Sequence, residues 1–333
     1  MQFNKCLFVF STIVICASAA HFLEQEWNVW KSKHGKEYVT EKREMFRRKA
    51  WEATWDMVQK HNQRAEQGLE TYTLAMNQFA DLTPEERKQR SCFRLKNEFI
   101  PSNRSTIHHR KLTSSPDTVD WREKNCNTPI KSQGLCGSCW AFAVVGVIES
   151  RYCIQTGKLI RLSEQQLVDC DATNHGCCGG KPTDALAYTA EYGIMRNRDY
   201  EYAEKQSECA YDEDKAIMLN VEKYYNLAGE ENMAREVELN GPIIVGIAAS
   251  EKFMFYKEGV YNGDCAEEPN HAIIIVGYGS QPSEDDPDEI EDYWIIRNSW
   301  GETWGEHGYG KMKRNINQCD IGSEAAAIDL TGL

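Results

Sequence analysis

Beyond residue 20 the sequence has no run of apolar residues long enough to cross a membrane as a helix. No helical membrane anchor is therefore expected, and the chain after that point reads as soluble. Positive charge is also short: 38 Lys and Arg stand against 51 Asp and Glu, a net charge of −13. The deficit lies in residues 115–333, where 19 basic residues face 38 acidic ones, whereas residues 21–114 carry 18 against 13. So acidic a body argues against nucleic acid as a partner. Either the basic segment is drawn to the acidic body, an attraction that protonation of carboxylates would loosen, or the asymmetry reflects two solvated surfaces. Histidine is scarce, and after residue 114 only His175, His271 and His307 remain. The cysteines lack the second, correctly spaced pair that a zinc site needs, since Cys177 and Cys178 are adjacent. No metal and no cofactor is called for.

What is present is substantial. With 333 residues, 41% of them hydrophobic, the chain can bury a full-sized core and has room for more than one domain. Residues 1–20 hold Lys5, the mostly apolar stretch Cys6–Ala17 and the small residues Ser18, Ala19 and Ala20. That pattern predicts a signal peptide cut near Ala19 or Ala20, entry into the secretory pathway, and disulfides among the remaining cysteines.

The stretch Ser132-Gln-Gly-Leu-Cys-Gly-Ser-Cys-Trp-Ala-Phe142 organises the rest. The apolar run Trp140–Ile148 predicts a buried helix, with Ser138 as N-cap and Cys139 in its first turn. Orphan N–H groups and the positive end of the helix dipole favour thiolate over thiol there, which makes Cys139 a nucleophile. Cys136 and Cys139 could instead be a redox pair, but no thioredoxin-like βαβ pattern surrounds them. A nucleophilic cysteine needs a base. His271 begins a strand-like run after Pro269-Asn270, whereas His175 lies in a loop beside cysteines and His307 in a Gly-rich turn. Position favours His271, facing the Cys139 helix across a cleft. Asn298, in Arg297-Asn-Ser-Trp-Gly301, would orient the imidazole through its second nitrogen.

Cys-Gly-Ser-Cys-Trp around Cys139, with a histidine 132 residues downstream, resembles the papain and cathepsin L-like family of cysteine proteases. The resemblance implies an α+β fold of two lobes, one helical and one β-barrel-like, with the cleft between them. The chain itself supports that division. Leu162–Asp169, with Ser163 and Gln166 spaced for a capping box, and Lys181–Gly193 read as helices. Pro242–Ala248, His271–Gly277, Tyr293–Arg297 and Gly308–Arg314 read as strands. By the resemblance, Gln133 supplies the side-chain amide of an oxyanion hole together with the Cys139 N–H. Trp300 matches the tryptophan that shields the histidine–asparagine hydrogen bond. The pocket for the second side chain before the scissile bond would be walled by Gly179, Gly180, Pro182, Gly246, Pro269 and Ala272. Its floor would be Glu324, five residues after Cys319, where an inward carboxylate accepts Arg and an outward one meets solvent. The implied disulfides are Cys136–Cys177, Cys170–Cys209 and Cys265–Cys319. Cys178 departs from the family's Asn, and Cys126 and Cys153 are extra cysteines that could bridge each other. No insertion lengthens Gly180–Cys209, so the cleft is expected to be open at both ends, as endopeptidase action requires.

Ahead of this body, Trp27, Trp30, Phe46, Trp51, Trp55 and Val58 form one apolar stripe at helical spacing, which predicts a helical hairpin with a tryptophan core. Glu44, Arg48, Trp51, Val58 and Asn62 match the helix signature of the family's proregions, with Thr54 where Asn is usual. Ala75-Met-Asn-Gln-Phe-Ala-Asp81 resembles their second motif, a short strand and turn. Residues 101–118 read as an exposed linker suited to cleavage, with the mature start near Ser114 or Ser115 and a glycosylation sequon at Asn103. The loop Ser280–Asp292, with seven acids and two prolines, reads as a solvated excursion. The expected chain is thus a signal peptide (1–20), an inhibitory proregion (21–114) and a mature cysteine endopeptidase (115–333), monomeric and acting on proteins and peptides. Its expected place is the lysosome, the extracellular space or a gut lumen. The competing reading is a catalytically silent homologue that binds or inhibits.

Overall fold

The computed structural model describes residues 21–90, 116–283 and 290–330. The expected signal peptide, the Asn103 sequon, the Ser114–Ser115 cleavage segment and the centre of the Ser280–Asp292 loop lie outside the described residues.

The chain opens with helices α1 (21–33) and α2 (Glu41–Ala65). Thr40 caps α2 by accepting a hydrogen bond from Arg43 N at 3.2 Å, and Glu41 and Glu44 occupy the first turn, where the helix dipole favours negative charge. Between them the helices bury Trp27, Trp30, Trp51 and Val58. Trp27 stacks on Trp30 at 5.3 Å and meets Trp51 edge-on at 5.5 Å. Trp55 is only partly buried, and Phe46 departs from the expected stripe altogether. Five residues from Trp51, it points roughly 140° round the helix from the buried face, and it is exposed beside the Arg47 guanidinium. The family signature residues act as fasteners. Asn62 donates to Leu74 O at 2.9 Å and accepts from Leu74 N at 2.8 Å, which pins strand β1 (Tyr72–Leu74) along α2. Thr54 donates to Ala80 O at 3.0 Å. The strand therefore precedes the Ala75–Asp81 motif, whose own residues form turns leading to helix α3 (Pro84–Arg90).

In the body, β2 (Val119–Asp120) is followed by helices α4 (Cys139–Thr156), α5 (Glu164–Cys170) and α6 (Pro182–Tyr192) and by the small hairpin β3 (Ile194–Met195) and β4 (Ala216–Ile217). Next come β5 (Val221–Leu227), helix α7 (Glu230–Asn240), β6 (Ile243–Ile247), the single turn α8 (Glu251–Met254) and β7 (Tyr256–Tyr261). The chain closes with β8 (His271–Pro282), β9 (Ile290–Arg297), β10 (Tyr309–Lys313) and β11 (Ala325–Leu330). The main sheet runs β1-β7-β10-β9-β8-β6-β11-β5, with β2 on β8. All its pairings are antiparallel except β7 with β10. Strand β1 thus comes from the N-terminal hairpin and covers the β7 edge of the body, removing an open row of backbone donors and acceptors.

Two apolar cores result. One surrounds α4 with Leu162, Leu167, Ala185 and Leu186 and meets Ile244, Ile274 and Ile328 of the sheet. The other lies on the opposite side of the sheet and is continuous with the tryptophan hairpin. Helix α4 seats on β8 through Gly146, where any side chain would overlap Ile274 Cδ1. Gly157 in the left-handed region ends α4, and Pro182 and Gly193 bound α6. The capping box at α5 is half formed. Ser163 accepts from Gln166 N at 3.0 Å, but the Gln166 amide turns to Met195 N and Gly193 O, because the β3 hairpin offers it buried backbone partners.

The hairpin's titratable groups face both ways. His61 is buried, with Nε2 3.0 Å from Tyr72 O and Nδ1 3.9 Å from Glu70. Burial lowers the pKa of His61 and of His34 from 6.5, so both favour the neutral ring in the docked state. Arg47 holds Glu86 below 4.5. A depressed histidine stabilises the docked form above its free pKa and loses that contribution as pH falls. A depressed carboxylate keeps its contribution until lower pH. Loosening of the folded hairpin, on which its docking to the body depends, is therefore expected to begin below about pH 6.5 as His61 and His34 take up protons. In a Cys139→Ala protein nicked after residue 90, His61→Asn should shift the dissociation midpoint to lower pH. A midpoint equal to the parent's would remove the histidines from the account.

Candidate active site

Cys139 is the first residue of α4 and fully buried. Ser138 flanks the helix but makes no side-chain cap; its Oγ instead shares a 2.6 Å hydrogen bond with the Tyr202 hydroxyl, a partner distant in sequence. His271 opens β8, the strand on which α4 packs. Its Nε2 donates to Asn298 Oδ1 at 2.8 Å, and that same oxygen accepts from Ser299 N at 2.8 Å. Nδ1 is buried and hydrogen-bonds to no nitrogen or oxygen among the described residues. The Trp300 indole stacks on the imidazole, with centroids 4.3 Å apart and planes 19° from parallel. Burial pushes the imidazole down to about 4, while the Asn298 bond pulls upward. Gln133 is buried and held from the other lobe: Ser299 Oγ donates to its Oε1 at 2.8 Å and its backbone N to Ser299 O at 2.9 Å. Its Nε2 donates to Cys136 O at 2.9 Å. The structure thus gathers Gln133, His271, Asn298 and Trp300 into one cluster at the lobe seam.

The substrate-pocket residues form two groups that converge. Trp140 Nε1 donates to Gly176 O at 3.2 Å, which ties the start of α4 to the turn leading into Gly179 and Gly180. A side chain at Gly180 would strike Asn174 and the Trp140 ring. From the other side, Gly246 pairs with Ala272 between β6 and β8, and Gly246 N donates to Glu324 O at 2.8 Å. Pro269 lies half-buried two residues before His271. The Glu324 carboxyl is half-buried, and desolvation pushes it up to about 7 against the pull of Lys181, the residue before Pro182. Among the described residues four disulfides join Cys126–Cys153, Cys136–Cys177, Cys170–Cys209 and Cys265–Cys319. Cys178 is exposed and outside any of them.

Sequence reasoning missed the charged network beneath the site. Lys131, directly before Ser132-Gln133, bonds Glu149 Oε1 at 2.7 Å and Glu164 Oε1 at 2.5 Å. Burial works against the ammonium, but Glu164 and Glu149 outweigh it and raise the Lys131 pKa. Thr128 Oγ1 donates to Glu149 Oε2 at 2.6 Å, and Arg297, the neighbour of Asn298, donates from Nη2 to Thr128 O at 2.8 Å. A glutamate directly after the apolar run of α4 was the available signal, since such a charge, once buried, requires a partner.

With this geometry in view, the comparisons with known proteins agree. The papain family cysteine protease model matches residues 115–328, and the cathepsin propeptide inhibitor domain (I29) matches residues 27–87. The chain belongs to the papain family of cysteine proteases and is a cathepsin L-like zymogen. It is 38% identical to procathepsin L of Felis catus over 344 residues, covering 97% of this chain and 98% of that protein. It is 38% identical to cathepsin K of Mus musculus over 320 residues, covering 93% and 94%. Among solved structures, digestive procathepsin L2 proteinase from Tenebrio molitor larval midgut superposes with a TM-score of 0.85 at 35% identity, covering 92% of this chain and 100% of that one. The papain-like fold of a helical and a β lobe behind a helical propeptide, read from the motifs, is the fold observed.

The network has a testable consequence. Lys131→Met leaves Glu149 and Glu164 buried without their cation, a loss expected to cost about 3–5 kcal/mol. Denaturant unfolding of the disulfide-intact protein should show the midpoint fall accordingly, and an unchanged midpoint would show the network to be dispensable.

Proposed function

We propose that the chain is a secretory-pathway zymogen of a monomeric cysteine endopeptidase, destined for the lysosome, the extracellular space or a gut lumen and held inactive by its own proregion. Cys139 is the nucleophile, His271 the base and acid, Asn298 the residue that orients the imidazole, and Gln133 an oxyanion donor. The observation that carries this reading is the 2.8 Å bond from His271 Nε2 to Asn298 Oδ1 beneath Trp300, which leaves Nδ1 for proton transfer. The Cys139 proton passes to His271, and the thiolate attacks the carbonyl carbon of the scissile peptide bond. Charge on the carbonyl oxygen is met by the Gln133 amide and the Cys139 N–H. His271 then protonates the leaving amine. Water, giving its proton to His271, hydrolyses the thioester and releases the thiolate.

An epoxide thiol trap followed by peptide mapping tests the reading: the matured protein should be labelled on Cys139. A matured protein that labels elsewhere or not at all is a silent homologue. Specificity rests on Glu324. With its carboxyl near 7, the group is charged above that pH and mostly protonated at pH 5. Cleavage of an Arg-Arg reporter relative to a Phe-Arg reporter should therefore fall as pH drops through about 7. A bound guanidinium would move that loss lower. Glu324→Ala should flatten the ratio; a ratio with the same pH dependence in both proteins would falsify an inward carboxylate.

A further inference from the structure

The loop that follows β3 reaches the Gln133–Ser138 turn through the Tyr202 hydroxyl. Tyr202 OH donates to Gln133 O at 2.8 Å and shares the 2.6 Å hydrogen bond with Ser138 Oγ. The phenol has one proton, and Gln133 O can only accept, so Ser138 is the donor in the second bond. One hydroxyl therefore links the backbone of the oxyanion donor to the residue before the nucleophile, closing the Gln133–Ser138 turn from outside. We propose that Tyr202 is a positioning residue of the oxyanion hole, acting through Gln133 and Ser138, an inference that rests on the Cys139–His271 chemistry above.

The rest of the loop is built to hold that hydroxyl still. Ala203 N donates to Gln165 Oε1 and Gln165 Nε2 to Lys205 O, each at 2.8 Å, and Gln165 is itself buried on α5. Tyr200 OH donates to Asp169 Oδ2 at 2.7 Å, Ser207 N donates to Asp169 Oδ1 at 2.7 Å, and the Cys170–Cys209 disulfide closes the loop. Phe142 meets the Tyr202 ring edge-on at 4.8 Å, which prevents it from swinging. Gly134 has φ +61°, a backbone conformation that favours glycine, and the Glu204 carboxyl lies where a side chain there would be. Desolvation holds the phenol above its usual range, so it remains a donor at any working pH. Ser138 is diverted from capping α4 for the same purpose. An oxyanion donor loses its effect with small displacements, because its charge stabilisation is realised only at the transition-state position.

The test uses the matured protein, with active sites counted by epoxide titration so that rates refer to competent molecules only. Tyr202→Phe removes the hydroxyl and keeps the ring. The expected result is a fall in kcat for peptide hydrolysis of about ten-fold, less than the loss of a whole oxyanion donor. KM and the rate of alkylation by iodoacetamide, which forms no oxyanion, should each stay within about two-fold. On a Gln133→Ala background the same substitution should have little further effect, since its route through Gln133 is gone. An unchanged kcat per titrated site overturns the proposal, as does alkylation that falls in step with hydrolysis. If Tyr202→Phe does not mature, Ser138→Ala breaks the other end of the link and is read by the same criteria. Failure of the wild-type protein to react with the epoxide would instead overturn the Cys139 reading.

Discussion

The catalytic geometry depends on the seam between α4 and β8. The first carries Cys139 at its start and the second carries His271 at its start, so the distance between the proposed nucleophile and base is set by how the two elements pack. Gly146 allows contact with Ile274 with no side chain between them. Nearly every residue of α4 from Cys139 to Arg151 is buried, so the helix has no solvent face on which to rotate. Its polar residues are fixed as firmly as its apolar ones. Glu149 is held by Lys131, Thr128 and Leu162 N, and Arg151 reaches Glu236 at 2.7 Å and Pro242 O at 3.0 Å. Such buried pairs contribute less to net stability than their Coulomb energy suggests, but breaking one is costly, and that cost fixes the helix in register.

The proregion exploits the same seam from behind. Phe79 meets the Trp300 ring edge-on at 5.8 Å, and Gln78 Nε2 donates to Trp300 O at 2.6 Å. Asn77 Nδ2 donates to Met254 O at 2.8 Å, and β1 extends the sheet along β7. The proregion thus contacts Trp300, the residue that stacks on the His271 imidazole. One indole therefore meets both the proregion and the imidazole, and the His271–Asn298 bond is formed while the proregion is docked. The release of residues 21–90 would bare an edge strand and an aromatic surface but require no rebuilding of the seam.

What the sequence revealed was what is local and chemically unusual. A cysteine at a helix start, a histidine at a strand start and an Asn-Ser-Trp triplet are each visible within a few residues, and the scarcity of histidine left three candidates for a base, of which position favoured His271. The tryptophan hairpin was visible because its spacing repeats. Tyr202 was hidden because its partner Ser138 is 64 residues away, and that distant partner also defeated the N-cap expected of Ser138. Strand β11, Ala325-Ala-Ala-Ile-Asp-Leu330, has little intrinsic strand character. It is a strand because β5 and β6 leave a slot between them. Phe46 shows the converse error, an apolar residue counted into a stripe whose face it does not share.

If Cys139 and His271 work as the proposed ion pair, burial opposes each charge taken alone. Burial and the Asn298 bond together leave His271 near 4, so beside an uncharged thiol the ring would stay neutral at any working pH. Cys139 alone is no better placed, since a lone thiolate in a buried site is also disfavoured, even at a helix N-terminus. Together the two charges change the balance. A contact pair at an effective dielectric near 20 gains about 4 kcal/mol. A thiolate beside the ring would raise the imidazole's pKa against that burial, and the imidazolium would favour the thiolate in turn. The proton transfer is therefore a property of the pair and not of either residue, and its two titrations belong to both. Trp300 matters in the same terms: by excluding water it lowers the local dielectric, which raises the cost of each single charge and the attraction between the two.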